Sequence, residues 1–268
     1  MMSPIRHAPI ARTAVMHLAA GSGVDPHRHD DNQIVYAARG VLSVATDRGH
    51  WIAPATRAIW VPAGTVHEHR AYGDTELRTV GVGADNPLDL HVPAVLAVGP
   101  LLRELIIAYT KSPAGDDLIR QPIAADRPDD TVDDIMGDDA RRRLRAVLLD
   151  QLRHSSQQPI RLPTPRDTRL VTVCQLLFDD PADNRTLTAL GTVAGASERT
   201  LSRLFRTELG MTFPQWRTQL RLHRALILLA ENLPVSTVAH RCGWSTPSAF
   251  IDVFKATFGH TPGRGPVA

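Results

Sequence analysis

A chain of 268 residues, 43% hydrophobic and 22% charged, has room for two domains of ordinary size and is too apolar for wholesale disorder. Thirty basic residues against 28 acidic ones leave a net charge of only +2, which excludes a uniformly basic nucleic-acid binder. Cys174 and Cys242, the only two cysteines, are too few for a disulfide framework and read as buried free thiols.

Arg12 and His17 interrupt the opening segment, so it has no apolar leader run, and the most apolar later stretch, LLRELIIAYT, contains Arg103 and Glu104. No segment reaches the roughly 18 apolar residues of a membrane span, and a cytoplasmic protein with no membrane partner is expected. Residues 1–92 read as strands: QIVYAARG, GVLSVAT and AIWVPAG are rich in Val, Ile, Trp and Tyr, and Gly or Pro closes them at short intervals. That texture predicts a small β-barrel or jelly roll. From Pro93 the spacing of Val95, Val98, Leu102, Leu105, Ile106 and Tyr109 is helical. A polar stretch from Lys111 to Asp139 follows, with an acidic run read as solvated and helix-initiating. A second amphipathic helix then places Leu144, Val147, Leu148 and Leu152 on one face, against the barrel or a second subunit. SSQQPIRLPTP, with three prolines, reads as a linker, and from Arg166 onward only short helices are predicted. The expected fold is α+β in two domains: a barrel over 1–92, a helical connector over 93–157, a linker over 158–165 and an all-α domain over 166–268.

Within LTALGTVAGASERTLSRLFRTELG, a small apolar helix from Leu187 to Val193 meets a turn at Gly195, and Ser197 caps a second helix whose Leu201, Leu204 and Phe205 face inward. Helix, glycine turn and capped helix make a helix-turn-helix, with Arg199, Thr200, Arg203 and Arg206 outward. The grammar recurs in VSTVAHRCGWSTPSAFIDVFKATFG: a turn near Gly243, a cap at Ser245 or Thr246, Pro247 in the first turn, and Phe250 and Phe254 inward. The stretch FPQWRTQLRLHRALILLAE joins the two units, with Trp216, Phe213 and Phe258 expected in the core. Residues 165–268 hold twelve basic against eight acidic side chains, +4, which leaves −2 for residues 1–164.

Through ASERTLSRLFRTELGMTF, RLHRALILL and CGWSTPSAFIDVFKATFGHTP, residues 168–262 resemble the AraC/XylS family of bacterial transcription regulators. The resemblance implies recognition helices at Ser197–Thr207 and Thr246–Ala256 entering adjacent major-groove segments of double-stranded operator DNA, and a homodimer. It makes Arg199, Arg203, Thr246 and Ser248 readers of base edges or sugar-phosphate, and Arg206 and Lys255 phosphate contacts, with Ser197, Thr200 and Ser245 beside them. Two features depart from the family. Asp252 lies on the outward face of the second recognition helix, where it either accepts from a cytosine amino group or repels phosphate; and the ending GHTPGRGPVA lacks the common Tyr-Arg.

Eight of the twelve histidines fall within the first 91 residues. Gly21, His27-x-His29, Gln33 and Gly40, followed by PAGTVH at 62–67, resemble the two cupin motifs, with Gln where that family usually has Glu. Residues two apart on a strand share a face, so His27 and His29 both point inward. With Gln33 and His67 they form either a site for Zn, Ni, Fe or Mn, or a metal-free pocket that hydrogen-bonds a small-molecule effector. Tyr36 and Trp60 are placed among the effector contacts, with Trp51 nearby and core packing as the other role for all three. His69 and His50 read as surface histidines at the rim and in a turn. The function expected is a regulator sensing a small molecule or metal; the alternatives are a metal-dependent cupin dioxygenase or isomerase and a constitutive DNA binder with a purely structural barrel.

Overall fold

In the computed structural model, which describes residues 5–111, 137–158 and 161–262, the N-terminal third forms eight strands, several of them buried on both faces. They are β1 (Arg6–His7), β2 (Ala14–Leu18), β3 (Gly23–Arg28), β4 (Asn32–Thr46), β5 (Gly49–Pro54), β6 (Arg57–Val61), β7 (His67–Gly83) and β8 (Ala94–Ala97). The long strands β4 and β7 pair antiparallel from Asn32 opposite Gly83 to Ala45 opposite Glu68, and register shifts between Ala37 and Val41 bend them. The other edge of β4 pairs with β6 through Gln33–Tyr36 and, past the bend, with β5 through Val41–Thr46. One strand changing partner at a bulge curls the sheet into a barrel. Val35, Ala37, Leu42, Val44, Trp51, Ile59 and Val61 fill its inner face.

Two helices, α1 (Pro100–Lys111) and α2 (Asp138–Arg153), cover the opposite face at one end, burying Leu102, Ile106, Leu148 and Leu152 against Ile34, Tyr36, Trp60 and Val80. Val95, expected in a helix, lies in β8, and the helix begins only at Pro100, where a missing N–H costs nothing. In α2 the buried stripe runs through Leu148, Leu149 and Leu152, while Val147 stays 47% exposed. Of the acidic run, Asp138 and Asp139 open α2, where carboxylates favour the helix dipole; the rest lies outside the described residues.

The segment expected to be a linker instead adds two short strands to the barrel. β9 (Gln157–Gln158) pairs with β8, and β10 (Arg161–Pro163) pairs antiparallel with β5. Leu162 explains the second pairing, since it is 2% exposed and packs among the first helices of the C-terminal domain.

That domain comprises α3 (Thr168–Asp179), α4 (Leu187–Ala194), α5 (Glu198–Leu209), α6 (Phe213–Ala230), α7 (Val235–Arg241) and α8 (Pro247–Phe258). Thr212 and Gln215 form a capping box at the start of α6, with Pro214 in its first turn. The first half of α6 packs with α3, α4 and α5 around Trp216; the second half packs with α7 and α8 around Phe250, Phe254 and Phe258. Cys174 and Cys242 are buried in these cores as expected, and burial pushes the Cys242 thiol up to about 11. Arg221, 9% exposed, ties the helices together by donating to the Pro181 and Asp183 carbonyls and to Asn184 Oδ1.

The barrel and the helices share one of these cores. Val41 and Ile52 on the barrel's outer face pack with Leu222, Leu226 and the phenylalanines of α8. The Arg57 guanidinium donates to the Phe258 carbonyl at 3.2 Å. Gly73, at φ +67° in the bend of β7, sits so close to the end of α6 that a Cβ there would lie 2.5 Å from the Ala230 carbonyl oxygen. A cavity of about 280 Å³ remains between the two domains, lined by His50, Glu68, Arg70 and Tyr72 from the barrel and by Phe178, His223 and Arg224 from the helices.

Candidate metal and DNA-binding sites

Strand pairing brings the two histidine motifs together. His27 near the end of β3 lies opposite His67 at the start of β7, and their rings stand 4.3 Å apart between centroids. His29 follows β3, and its carbonyl accepts from Gly64 N at 2.8 Å, which holds the PAGTVH loop against it. Asn32 fixes the same loop from β4: its Oδ1 accepts from Ala63 N and its amide donates to the Gly83 carbonyl.

Each of the three imidazoles has one nitrogen committed. Nδ1 of His27 donates to the Asp25 carbonyl at 2.8 Å, Nδ1 of His29 to Asp31 at 2.6 Å, and Nδ1 of His67 to Thr65 at 2.9 Å. A neutral imidazole carries one N–H, so these bonds leave Nε2 of all three as a lone pair, the tautomer a metal requires. A ligand atom from each of His27, His29 and His67 lies within 4.8 Å of the others. Burial favours the neutral form of two of them: His67 is depressed to about 3 and His27 is also lowered, chiefly by desolvation. Nε2 of His67 is buried with no hydrogen-bond partner among the described residues. Gln33 Oε1 stands 3.3 Å from His29 Nε2. With the His29 proton on Nδ1, these are two lone pairs facing each other, an arrangement relieved by a cation between them or by turning the amide over. The donor set therefore fits one divalent transition metal.

The structure separates Tyr36 and Trp60 from this cluster. Strand parity decides it: Gln33, Val35 and Ala37 point inward, so Tyr36 points outward, and Trp60, paired with Ile34, does the same. Their polar atoms are satisfied far from the histidines, Tyr36 Oη donating to the Ala55 carbonyl and Trp60 Nε1 to that of Leu90. Both are core residues beneath α1 and α2, whereas Trp51 is on the inner face.

His69 departs from its expected place at the surface. It is 4% exposed, lies opposite Val44 on the inner face, and its ring centroid is 5.0 Å from that of His67 and 5.5 Å from that of His27. The signal was present in the sequence, because His67-x-His69 repeats the spacing that placed His27 and His29 on one face. His50 is the second residue of β5 rather than part of a turn; it lies on the outer face and lines the interdomain cavity.

In the helical domain the turn between α4 and α5 runs through Gly195 at φ +66°, and Ser197 Oγ accepts from Thr200 N at 3.2 Å. Ser197, Arg199, Arg203 and Arg206 are exposed and Thr200 is half-buried. The three arginines, four and three residues apart, form one stripe opposite the buried Leu201, Leu204 and Phe205. In the second unit Thr246, not Ser245, caps α8 by accepting from Ala249 N at 3.2 Å. Ser245, Thr246, Ser248, Asp252 and Lys255 are all exposed there. The hydroxyl oxygens of Ser197 and Thr246 accept in the caps; the Ser197 hydroxyl also shares a hydrogen bond with the Thr200 hydroxyl at 2.9 Å, while the Thr246 O–H is left as a donor. Among the described residues no helix is long and apolar enough to cross a membrane.

The family model of the cupin domain matches residues 14–83, and that of a helix-turn-helix domain matches residues 190–264. The chain is 30% identical over 268 residues to the HTH-type transcriptional regulator NimR of Escherichia coli K12, covering 97% of this chain and 89% of that protein. It is 37% identical over 101 residues to the regulator RipA of Corynebacterium glutamicum, 38% of this chain and 30% of that one. Among solved structures, the DNA-binding domain of AdpA in complex with a target DNA is similar at 29% identity, over 36% of this chain and 87% of that one, with a TM-score of 0.34. Because the match to NimR runs through barrel, connector and helices alike, the chain belongs to the AraC family of transcription regulators, with a cupin domain as its N-terminal part.

Proposed function

We propose that the cupin barrel of this regulator senses its signal through one divalent transition metal held by His27, His29 and His67, with Gln33 adjoining. The observation that carries the reading is the convergence of three imidazoles whose Nδ1 protons are all spent on backbone carbonyls. Zn, Ni, Fe and Mn all suit such nitrogen-rich sites, and the bound metal supplies a fixed positive charge and an anchoring point for a small molecule. The related regulators give the cupin-enzyme alternative no support.

On the DNA side, α5 and α8 engage adjacent major-groove segments of a double-stranded operator in the cytoplasm. Arg199, Arg203, Thr246 and Ser248 meet base edges or sugar-phosphate; Arg206 and Lys255 meet phosphate; Ser197, Thr200 and Ser245 add hydroxyls at the helix starts. A homodimer places two such pairs on one operator, and the exposed Val147 on α2 is suited to the subunit contact. The link between signal and DNA is β7, which carries His67 at one end and meets the end of α6 through Gly73. A signal acts only by binding one arrangement of barrel and helices better than the other.

The test is metal analysis of the purified chain together with binding to DNA upstream of its own and neighbouring genes, with metal, with chelator and for His29→Ala. The expected result is about one metal per chain in the wild type, none in His29→Ala, and an operator affinity that changes with metal in the wild type alone. Operator binding that ignores chelator and His29→Ala alike would leave the barrel a purely structural part.

A further inference from the structure

Resting on the metal reading of the barrel, we infer that His69 is the group that recognises what binds to the metal, and that this exogenous ligand is a small anion or the anionic end of a small molecule. Three observations lead there. His69 is buried, and neither of its ring nitrogens has a hydrogen-bond partner among the described residues. A neutral imidazole always carries one N–H, and a buried donor left without an acceptor loses its hydration with no compensation. Strand parity gives the side chain no exit: on β7, His67 and His69 both point inward, and Val24 and Val44 are the residues opposite His69. The missing partner therefore has to be something that enters the site.

The ring also stands apart from the closest-set ligand atoms. His27, His29 and His67 bring their ligand atoms within 4.8 Å of one another, and His69 is outside that group. It adjoins His67 and His27, whereas Gln33 lies against His29 on the far side. An N–H at that remove reaches a molecule bound to the metal rather than the metal itself.

Charge then selects the class. Three neutral imidazoles and a neutral carboxamide leave the charge of a divalent ion uncompensated in a desolvated site, so an anionic donor such as a carboxylate gains most by completing it. An N–H that donates to this anion makes a charge-assisted bond. The body of a larger ligand has space nearby, since a groove of about 1060 Å³ reaches His67 along Gly64, Thr65 and Val66.

The experiment loads the full chain with one equivalent of Cu(II), measures copper affinity against a competing chelator, and titrates azide into the loaded protein by its charge-transfer absorption. Wild type should bind both. His69→Ala should weaken azide about tenfold or more, the loss of one hydrogen bond to a charged acceptor, while copper affinity stays within about threefold. His69→Asn, which restores an N–H donor, should recover part of the loss, and Gln33→Glu should weaken azide by supplying the negative charge internally. Azide affinity unchanged in His69→Ala overturns the inference. So does a loss of copper affinity in His69→Ala as large as in His29→Ala, which would make His69 a ligand. Copper binding without azide binding sinks the inference alone, whereas no copper binding in the wild type sinks the metal reading with it.

Discussion

The two helix-turn-helix units share a plan but differ in what their faces touch. In the first, Thr186 and Ser197 cap both helices, and α5 turns Arg199, Arg203 and Arg206 outward. In the second, α7 starts after Pro234 without a side-chain cap, and α8 exposes Asp252 and Lys255 with opposite charges. The buried side of α8 runs on into the barrel: Phe250, Phe254 and Phe258 share a core with Val41 and Ile52, and Arg57 holds the Phe258 carbonyl. Of the two recognition helices, the one with the weaker charge shares its core with the barrel's outer face at Val41 and Ile52, whereas α5 meets the barrel through the core around Leu162 of β10. Within the proposed function, the first unit supplies most of the affinity and the second decides whether both can engage at once.

The contrast is broken most readily at the arginines. Arg199→Ala combined with Arg203→Ala should cost about 2–6 kcal/mol of operator binding, since one such interaction is worth about 1–3 kcal/mol, and wherever either arginine neutralises a phosphate its removal should flatten the salt dependence. Ser248→Ala with Lys255→Ala should cost less than half of that. Fluorescence anisotropy with a labelled operator at several salt concentrations measures both, and equal losses would remove the asymmetry.

Gly73→Val acts at the junction instead. A branched side chain at positive φ is strained by about 1–3 kcal/mol, and here its Cβ also meets the Ala230 carbonyl. Thermal unfolding should shift downward. In a footprint, protection by the second unit should change while protection by the first persists; a uniform change over both halves would mean that α6 transmits the disturbance as a rigid rod.

A third test concerns the interdomain cavity. Buried His223 has a pKa depressed to about 3, by desolvation first and then by His50 and Arg224; Glu68 and Arg70 line the same cavity. A histidine held neutral in the folded state stabilises it fully above the unfolded value of ~6.5, and this contribution is lost as pH falls toward the folded value. Below pH ~6.5 it should fall by about 1.4 kcal/mol per pH unit. Denaturant unfolding of wild type and His223→Leu in chelator, at pH values between 7.5 and 4.5, isolates this slope, because every other ionisable side chain is common to both proteins. Parallel curves would show that His223 takes up a proton without unfolding.

Much of this arrangement is legible in the sequence because it rests on local rules. The cap at Ser197, a second cap at Ser245 or Thr246, the turn at Gly195 and the inward phenylalanines of α8 follow from residue type and helical spacing. The pair His27 and His29 follows from strand parity. What escapes is set by partners distant along the chain. Val95 and Val98 fit a helical pattern but Val95 is claimed by pairing with β6, and within the proline-rich segment Gln157–Gln158 and Arg161–Pro163 are strand because β8 and β5 offer free edges. Tyr36 and Trp60 lie on the opposite face from the histidines, a matter of register that composition does not reveal. Arg221 resembles any exposed helical arginine until the carbonyls of Pro181 and Asp183 close around it.

The smallest expected effect decides what Asp252 does. Its carboxylate is exposed on α8, so Asp252→Asn removes one negative charge with little change in shape or stability. If the carboxylate only repels phosphate, the substitution should strengthen binding to every DNA sequence by roughly 0.2–1 kcal/mol, the scale of an exposed charge interaction, and the gain should fade as salt rises. If it accepts from a cytosine amino group, binding to the preferred operator should weaken by about 1–3 kcal/mol while binding to the operator mutated at that one base pair stays the same. Measuring affinities for a set of single-base operator variants at low and high salt separates the two, since repulsion moves all of them together and readout moves one. The first outcome leaves α8 a recognition helix held back by its own charge; the second makes it a reader of sequence despite its weak electrostatics.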